Sequence, residues 1–232
     1  NNINIQPEEL IDYELGWKYN AEKFFFNSNL YYMGYKNQLV LTGALDDVGS
    51  PIRENSGKSY RTGIEIESVY KATNKLNISA NISLSENKNV VYKTNYNGVI
   101  TDWGDTDISF SPNVISSAGI QFSASQDLTF TLLNKFVGNQ YMSNTESNIS
   151  KLSSYSTTDL NILYTIKNSA YFSEIIVTAM INNIFNKEYV SNGYYYTYDD
   201  TWSDPNLITT IEGTGYYPQA KRNFLLGLTF KL

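Results

Sequence analysis

The sequence predicts an all-β fold, an antiparallel up-and-down transmembrane β-barrel, and three observations carry that expectation. Apolar and polar residues alternate in nine segments of roughly 10–13 residues. The connections between them are short and long by turns along the whole chain. Tyrosine and tryptophan gather near the ends of the alternating segments. Alternation alone has two solutions. In a soluble sandwich the apolar face meets a core and the polar face meets water. In a membrane barrel the apolar face meets lipid and the polar face lines the lumen. The regular short–long alternation of connections favours the barrel, whose tight turns lie on one side of the membrane and whose longer loops lie on the other.

The elements follow in order. In 10–19, Ile11, Tyr13, Leu15, Trp17 and Tyr19 form one face against Asp12, Glu14, Gly16 and Lys18. In 23–36, Phe24, Phe26, Leu30 and Tyr32 share a parity with Ser28. In 60–70, Ile64 and Ile66 oppose Gly63, Glu65 and Glu67. In 75–87, Leu76, Ile78, Ala80, Ile82 and Leu84 alternate with Asn77, Ser79, Asn81, Ser83 and Ser85. In 112–125, Ile120, Phe122 and Ala124 oppose Gly119, Gln121 and Ser123. Leu128, Phe130, Leu132 and Phe136 give the face of 128–138, and Leu160, Ile162, Tyr164 and Ile166 that of 155–166. Segment 173–185 is apolar on both faces, and 220–232 presents Phe224, Leu226, Leu228, Phe230 and Leu232. Short connections fall at 20–22, 72–74, 126–127 and 167–171; long ones occupy 37–58, 88–111, 141–154 and 186–218. The long ones are rich in Asn, Asp, Gly, Ser and Tyr, which suits water, and show no separate domain. The rings expected at membrane interfaces are Trp17, Tyr19, Tyr31, Tyr32, Tyr35, Tyr70, Tyr92 and Tyr141.

Composition removes several function classes. Among 232 residues there is no cysteine and no histidine, so thiolate chemistry, Cys-ligated zinc and Ser-His-Asp or Cys-His hydrolysis are excluded within this chain. A formal charge of −6 disfavours a nucleic-acid partner. The run "NSGKS" at 55–59 lacks the earlier glycine of a phosphate loop, since Ile52 stands there, and a strand pattern follows it. The glycosylation-like triplets at Asn77 and Asn81 are products of strand alternation, and a third begins at Asn148. Glu65 and Glu67 read as a water-facing charge pair. No enzyme activity and no cofactor are expected.

Candidate binding residues lie in the long loops. "NGYYYTYDDTW" offers Tyr194, Tyr195, Tyr196, Tyr198 and Trp202, flat faces with polar tips that suit sugars, aromatic siderophores or peptides. Tyr141 and Trp103 are further loop candidates. Asp102, Asp105 and Asp107 are the weak candidates for a calcium ion, although no Gly-centred twelve-residue loop frames them. Lys135, Arg53 and Arg61 could serve an anionic group locally.

These segments resemble a family. "PEELIDYELGWKY", "FFFNSNLYYMGYKNQLV" and "NSGKSYRTGIEIES" look like consecutive barrel strands of TonB-dependent outer-membrane receptors. "INNIFNKEYV" resembles the family's late Asn-Leu-Phe-Asp-Lys-x-Tyr motif, through Asn183, Ile184, Phe185, Asn186, Lys187 and Tyr189. The ending "GYYPQAKRNFLLGLTFKL" resembles its closing strand, through Tyr217, Arg222 and Phe224, with Gln219 and Ala220 where Pro-Gly is commoner. Gly227, Phe230 and Leu232 resemble the signal read by the barrel-assembly machinery, while Leu225 replaces a usual polar residue. The resemblance implies that residues 1–232 are the C-terminal portion of a larger, 22-stranded barrel, supplying about nine strands, with the plug and earlier strands outside this chain. It implies the outer membrane of a Gram-negative bacterium. It implies energised import of a scarce nutrient, such as an iron-siderophore or other metal chelate, or else a glycan or peptide. The partners it implies are outer-membrane lipid, TonB through the plug region, the remainder of the same receptor, and a nutrient at the extracellular loops. Haem ranks low, since no histidine here can ligate it. A soluble, surface-exposed β-sheet binding module is the alternative of a different class.

Overall fold

The computed structural model describes residues 5–46, 48–96, 99–167, 171–204 and 207–232. Sixteen strands run in chain order: β1 (Glu9–Asn20), β2 (Phe24–Lys36), β3 (Leu39–Leu45), β4 (Pro51–Asn55), β5 (Lys58–Lys71), β6 (Leu76–Tyr96), β7 (Val99–Asp107) and β8 (Val114–Ser123). They continue as β9 (Leu128–Val137), β10 (Gln140–Tyr141), β11 (Lys151–Leu152), β12 (Tyr155–Lys167), β13 (Glu174–Asn182), β14 (Val190–Asp200), β15 (Thr209–Pro218) and β16 (Asn223–Lys231). Nine of them, β1-β2-β5-β6-β8-β9-β12-β13-β16, form an antiparallel meander in which each strand pairs with the next, and β7 pairs β6. These nine are the nine expected segments. The sheet is open and does not close into a barrel within the described residues.

The registers put the apolar parity of each strand against that of its neighbour. Leu15 pairs Leu30, Leu30 pairs Ile64, Ile64 pairs Leu84, Ile78 pairs Ile120, and Ile120 pairs Leu132. Leu132 then pairs Leu160, Ile162 pairs Ala179, and Ala179 pairs Leu226. A slip of one residue would turn a strand inside out, and none of these eight pairings contains one. One continuous apolar face results. It is bare: Leu15 is 71% exposed and Leu226 73%, and no second sheet lies against it among the described residues. A soluble sandwich would cover this face, because removing apolar area from water is what stabilises such a fold.

Rings mark two levels of the face. Near the first short turn Trp17, Tyr19, Phe24 and Phe26 cluster, with Trp17 and Phe26 centroids 5.3 Å apart, and Phe24 pairs Tyr70. Toward the other end Tyr32 and Tyr60 lie 6.2 Å apart. Tyr60 and Tyr70 are both on β5, about 34 Å apart along the strand. At a tilt near 40° that spans about 26 Å, close to the roughly 25 Å apolar band of membrane barrels. Tyr31 and Tyr35 do not belong to the girdle. Their parity puts them on the polar face, where a Cβ at Gly63 would lie 2.8 Å from the Tyr31 hydroxyl. Tyr92 is 2% exposed and sits inside the loops.

The long connections contain more structure than their composition suggests. They carry β3, β4, β7, β14 and β15, and β15-β14-β3-β4 is a second, four-stranded sheet. Strand β6 runs on to Tyr96, past the expected end at 87, and pairs β7 beyond the wall. Most of the buried apolar side chains among the described residues, Val40, Ala44, Tyr92, Ile108, Met142 and Leu152 among them, lie in these connections. The turn expected over 167–171 falls largely on 168–170, outside the described residues.

Candidate functional site

Four long connections meet at one end of the wall, and residues 141–154 fasten the other three. Asn144 is 2% exposed. Its Oδ1 accepts from the Asn89 side chain at 3.3 Å and from the Ser109 N–H at 2.9 Å, while its Nδ2 donates to the Leu41 carbonyl at 3.1 Å. Loops far apart in sequence are thus joined by one side amide whose bonding capacity is well used. Glu146 accepts from the Asp107 N–H, and Lys88 bridges Asp107 at 2.6 Å and Glu146 at 3.5 Å. Ser147 donates to Glu212 at 2.9 Å, and the Tyr216 hydroxyl donates to the Ile149 carbonyl at 2.9 Å. Strands β3 and β14 touch through one parallel bridge, Thr197 to Ala44.

The tyrosine run does not act as one surface. Because β14 is extended, its side chains alternate. Tyr194, Tyr196 and Tyr198 share one face with centroid spacings of 6.2 and 6.3 Å. The Tyr194 and Tyr196 rings cross the glycines of β15, where a Cβ on Gly215 or Gly213 would come within 2.2 or 2.4 Å of them. Tyr195 points the other way and donates to Glu212 Oε1 at 2.6 Å. Burial first, then the Glu212 carboxylate, holds the Tyr195 phenol well above its ordinary pKa. Trp202 stands 91% exposed beyond the end of β14, apart from the other rings. Tyr141 is in β10 with the Lys151 ammonium 5.6 Å from its ring centroid.

Two cavities flank the β3–β14 junction. One, of about 510 Å³, is lined by Thr42, Thr94, Thr101, Thr197 and Thr210, with Trp103, Glu54, Tyr195 and Glu212. The other, of about 490 Å³, is apolar, bounded by Leu41, Leu45, Phe110, Met142, Tyr194 and Tyr196. Tyr195 borders both and so forms the partition. Of the candidates from sequence, Trp103 and Tyr195 share the first cavity and Tyr194, Tyr195 and Tyr196 the second, while Tyr198, Trp202 and Tyr141 border neither. The aspartates do not assemble: Asp102 pairs with Lys93 at 3.1 Å and Asp107 with Lys88. No cluster of three or more acidic side chains suited to a metal ion occurs among the described residues. Sequence reasoning missed the threonines, Glu54 and Glu212, which have no local motif. Gly43 carried a signal, since a glycine inside a short strand marks close backbone approach.

The residues behind the family resemblance are structural. Asn183 takes a left-handed φ of 52°, which ends β13 before the expected 185. Its side chain bonds both ways with Lys187, donating to the carbonyl at 2.8 Å and accepting from the N–H at 2.9 Å. The Asn186 side chain accepts from the Arg222 N–H at 3.1 Å, so the two late motifs hold each other at the foot of the loops.

The family described as TonB dependent receptor-like, beta-barrel matches residues 1–184. Among curated proteins none matches the sequence. The fold is shared with the siderophore receptor PiuA from Acinetobacter baumannii, at 19% identity and a TM-score of 0.72 over 99% of this chain and 29% of that one. The copper transporter OprC aligns at 17% identity and 0.70 over 98% and 32%. The ferric yersiniabactin uptake receptor FyuA from Yersinia pestis aligns at 18% and 0.64 over 95% and 29%. The chain thus spans about three tenths of the length of these proteins.

Proposed function

Because the chain belongs to the TonB-dependent receptor β-barrel family of Gram-negative outer membranes, we propose that it supplies wall and ligand-capturing mouth to an active nutrient transporter. The observation that carries this reading is the pairing of a bare apolar face with four loops packed into one assembly around two cavities at a single end. Lipid replaces water on the apolar face. The loop assembly faces outward and holds the nutrient, and TonB, acting through the plug region of the full receptor, drives passage through the lumen. No catalytic role is assigned. A soluble binding module would have to cover the apolar face.

For the ligand, an iron-siderophore or another metal chelate is supported by the names of the similar structures, which include siderophore and copper proteins. A glycan or peptide is the alternative, and the cavity lining bears on that choice. The experiment for the transport reading is uptake by cells carrying the full-length receptor, with and without the proton-motive force. Nutrient accumulation that stops when the force is collapsed supports active import. Accumulation that continues unchanged would mean passive diffusion and would sink the reading.

A further inference from the structure

Resting on the reading that the loops capture the nutrient, we infer that the larger cavity is a saccharide subsite, built for a neutral, hydroxyl-rich ring ligand and against an anionic chelate. Three features of the lining point there. First, Thr42, Thr94, Thr101, Thr197 and Thr210 converge on one cavity of about 510 Å³. Thr42 is engaged with the Ile52 carbonyl and the Ala44 N–H, Thr210 donates to Asp199 at 3.0 Å, and Thr94 accepts from Trp103. Thr101 and Thr197, with the Thr94 O–H, are the hydroxyls left to match the dual donor and acceptor character of sugar hydroxyls. The volume is within the range of small-molecule sites. Second, Trp103 is fixed for contact. Its indole N–H donates to Thr94 Oγ1 at 3.0 Å, and 43% of the residue remains exposed. An aromatic ring held by its polar edge presents an apolar surface to the C–H face of a pyranose.

Third, the charges in the lining are negative. Glu54 and Glu212 line the cavity, and none of its described lining residues is Lys or Arg. Arg53 is the neighbour of Ile52 and Glu54, which both line the cavity, and alternation along β4 turns it to the other side. Lys93, the chain neighbour of Thr94 on β6, is already paired with Asp102 at 3.1 Å. An anionic chelate brought against two carboxylates meets like charge with no compensating cation among the described lining residues, which is how a site rejects a partner. Glu212 is itself committed, one oxygen to Tyr195 at 2.6 Å and the other to Ser147 at 2.9 Å. That leaves Glu54 as the open acceptor, one carboxylate among hydroxyls, suited to take hydrogen bonds from a pair of sugar hydroxyls.

The test is calorimetric titration of the purified full-length receptor in detergent. The probes are maltohexaose, cellohexaose, xylohexaose, mannohexaose and chitohexaose, a ferric tricatecholate as anionic chelate, and the chitosan hexamer as cationic control. At least one neutral hexasaccharide binds, Trp103→Ala weakens it at least tenfold, and the isosteric pair Thr101→Val with Thr197→Val weakens it several-fold. The ferric tricatecholate is weakened neither by Trp103→Ala nor by Glu54→Gln, which removes one of the like charges facing it. The inference is overturned if no neutral hexasaccharide binds, or if its binding survives Trp103→Ala. It is also overturned if those substitutions weaken the tricatecholate, or if the chitosan hexamer binds tenfold tighter than every neutral probe and loses that advantage in Glu54→Gln. Retained resistance of the folded barrel to detergent unfolding controls for misfolding in each variant. Binding in detergent needs no proton-motive force, so this inference and the transport reading fail separately.

Discussion

At Gly43 the backbone takes a φ of +90°, and a Cβ there would lie 2.8 Å from Tyr195 Cε1. The glycine lets β3 pass under the ring that divides the two cavities. Gly43→Ala should cost about 1–3 kcal/mol locally, from the disfavoured backbone region and the displaced ring. Amide hydrogen exchange should quicken in β3 and β14 while the wall amides stay protected. Unchanged exchange in β14 would mean the ring has room to move. Tyr195 also gives the loops a pH response. Burial and the Glu212 carboxylate raise its pKa, so the folded loop keeps its proton where an unfolded tyrosine, with a pKa of about 10, loses it. The stabilisation is complete below that pH and declines as pH rises above it. Limited proteolysis of the loops should therefore accelerate above pH about 10 in the native protein. In Tyr195→Phe this step should be smaller, the remainder coming from Tyr92, whose pKa is also raised by burial.

At the scale of the strand, position decides tolerance. Ile82 pairs with Ile66 and Ser116 on the apolar face, whereas Asn81 donates to Ser117 at 2.8 Å on the polar one. Ile82→Arg should cost about 2–4 kcal/mol near the membrane midplane, and Asn81→Arg distinctly less. Equal costs in a folding assay into lipid vesicles would contradict the assigned faces. The wall strands were legible because lipid on one side and water on the other impose a period of two on the sequence. The loop strands were not. Strand β14, "VSNGYYYTYDD", places tyrosines on both faces because cavities lie on both sides of it, so no alternation remains to be read. The continuation of β6 past 87 was hidden for the same reason: Lys88, Val90, Val91 and Tyr92 leave the membrane pattern once the strand rises above the wall. In the site, aromatic residues drew attention by type, but Asn144, Glu54, Glu212 and the threonines matter only through contacts between separate loops.

At the scale of the molecule, the loop sheet and the wall are separable. Strand β14 pairs with β15 and β3, and none of the wall pairings involves residues 193–203. Deleting those residues should abolish or sharply weaken uptake by the full-length receptor while the barrel still assembles. Normal transport would remove this loop from the site, and loss of the barrel would make the tyrosines structural. The central claim is that the nine strands present one face to lipid and the other to an aqueous lumen. Spin labels placed one at a time from 76 to 84 in the full-length receptor, reconstituted in bilayers, test it most directly. Oxygen, which concentrates in lipid, should relax labels at 78, 80, 82 and 84 most, and a polar nickel chelate should relax those at 77, 79, 81 and 83 most, the two profiles running in antiphase. Labels at 78, 80, 82 and 84 that are shielded from both relaxers, as in a closed protein core, would contradict it.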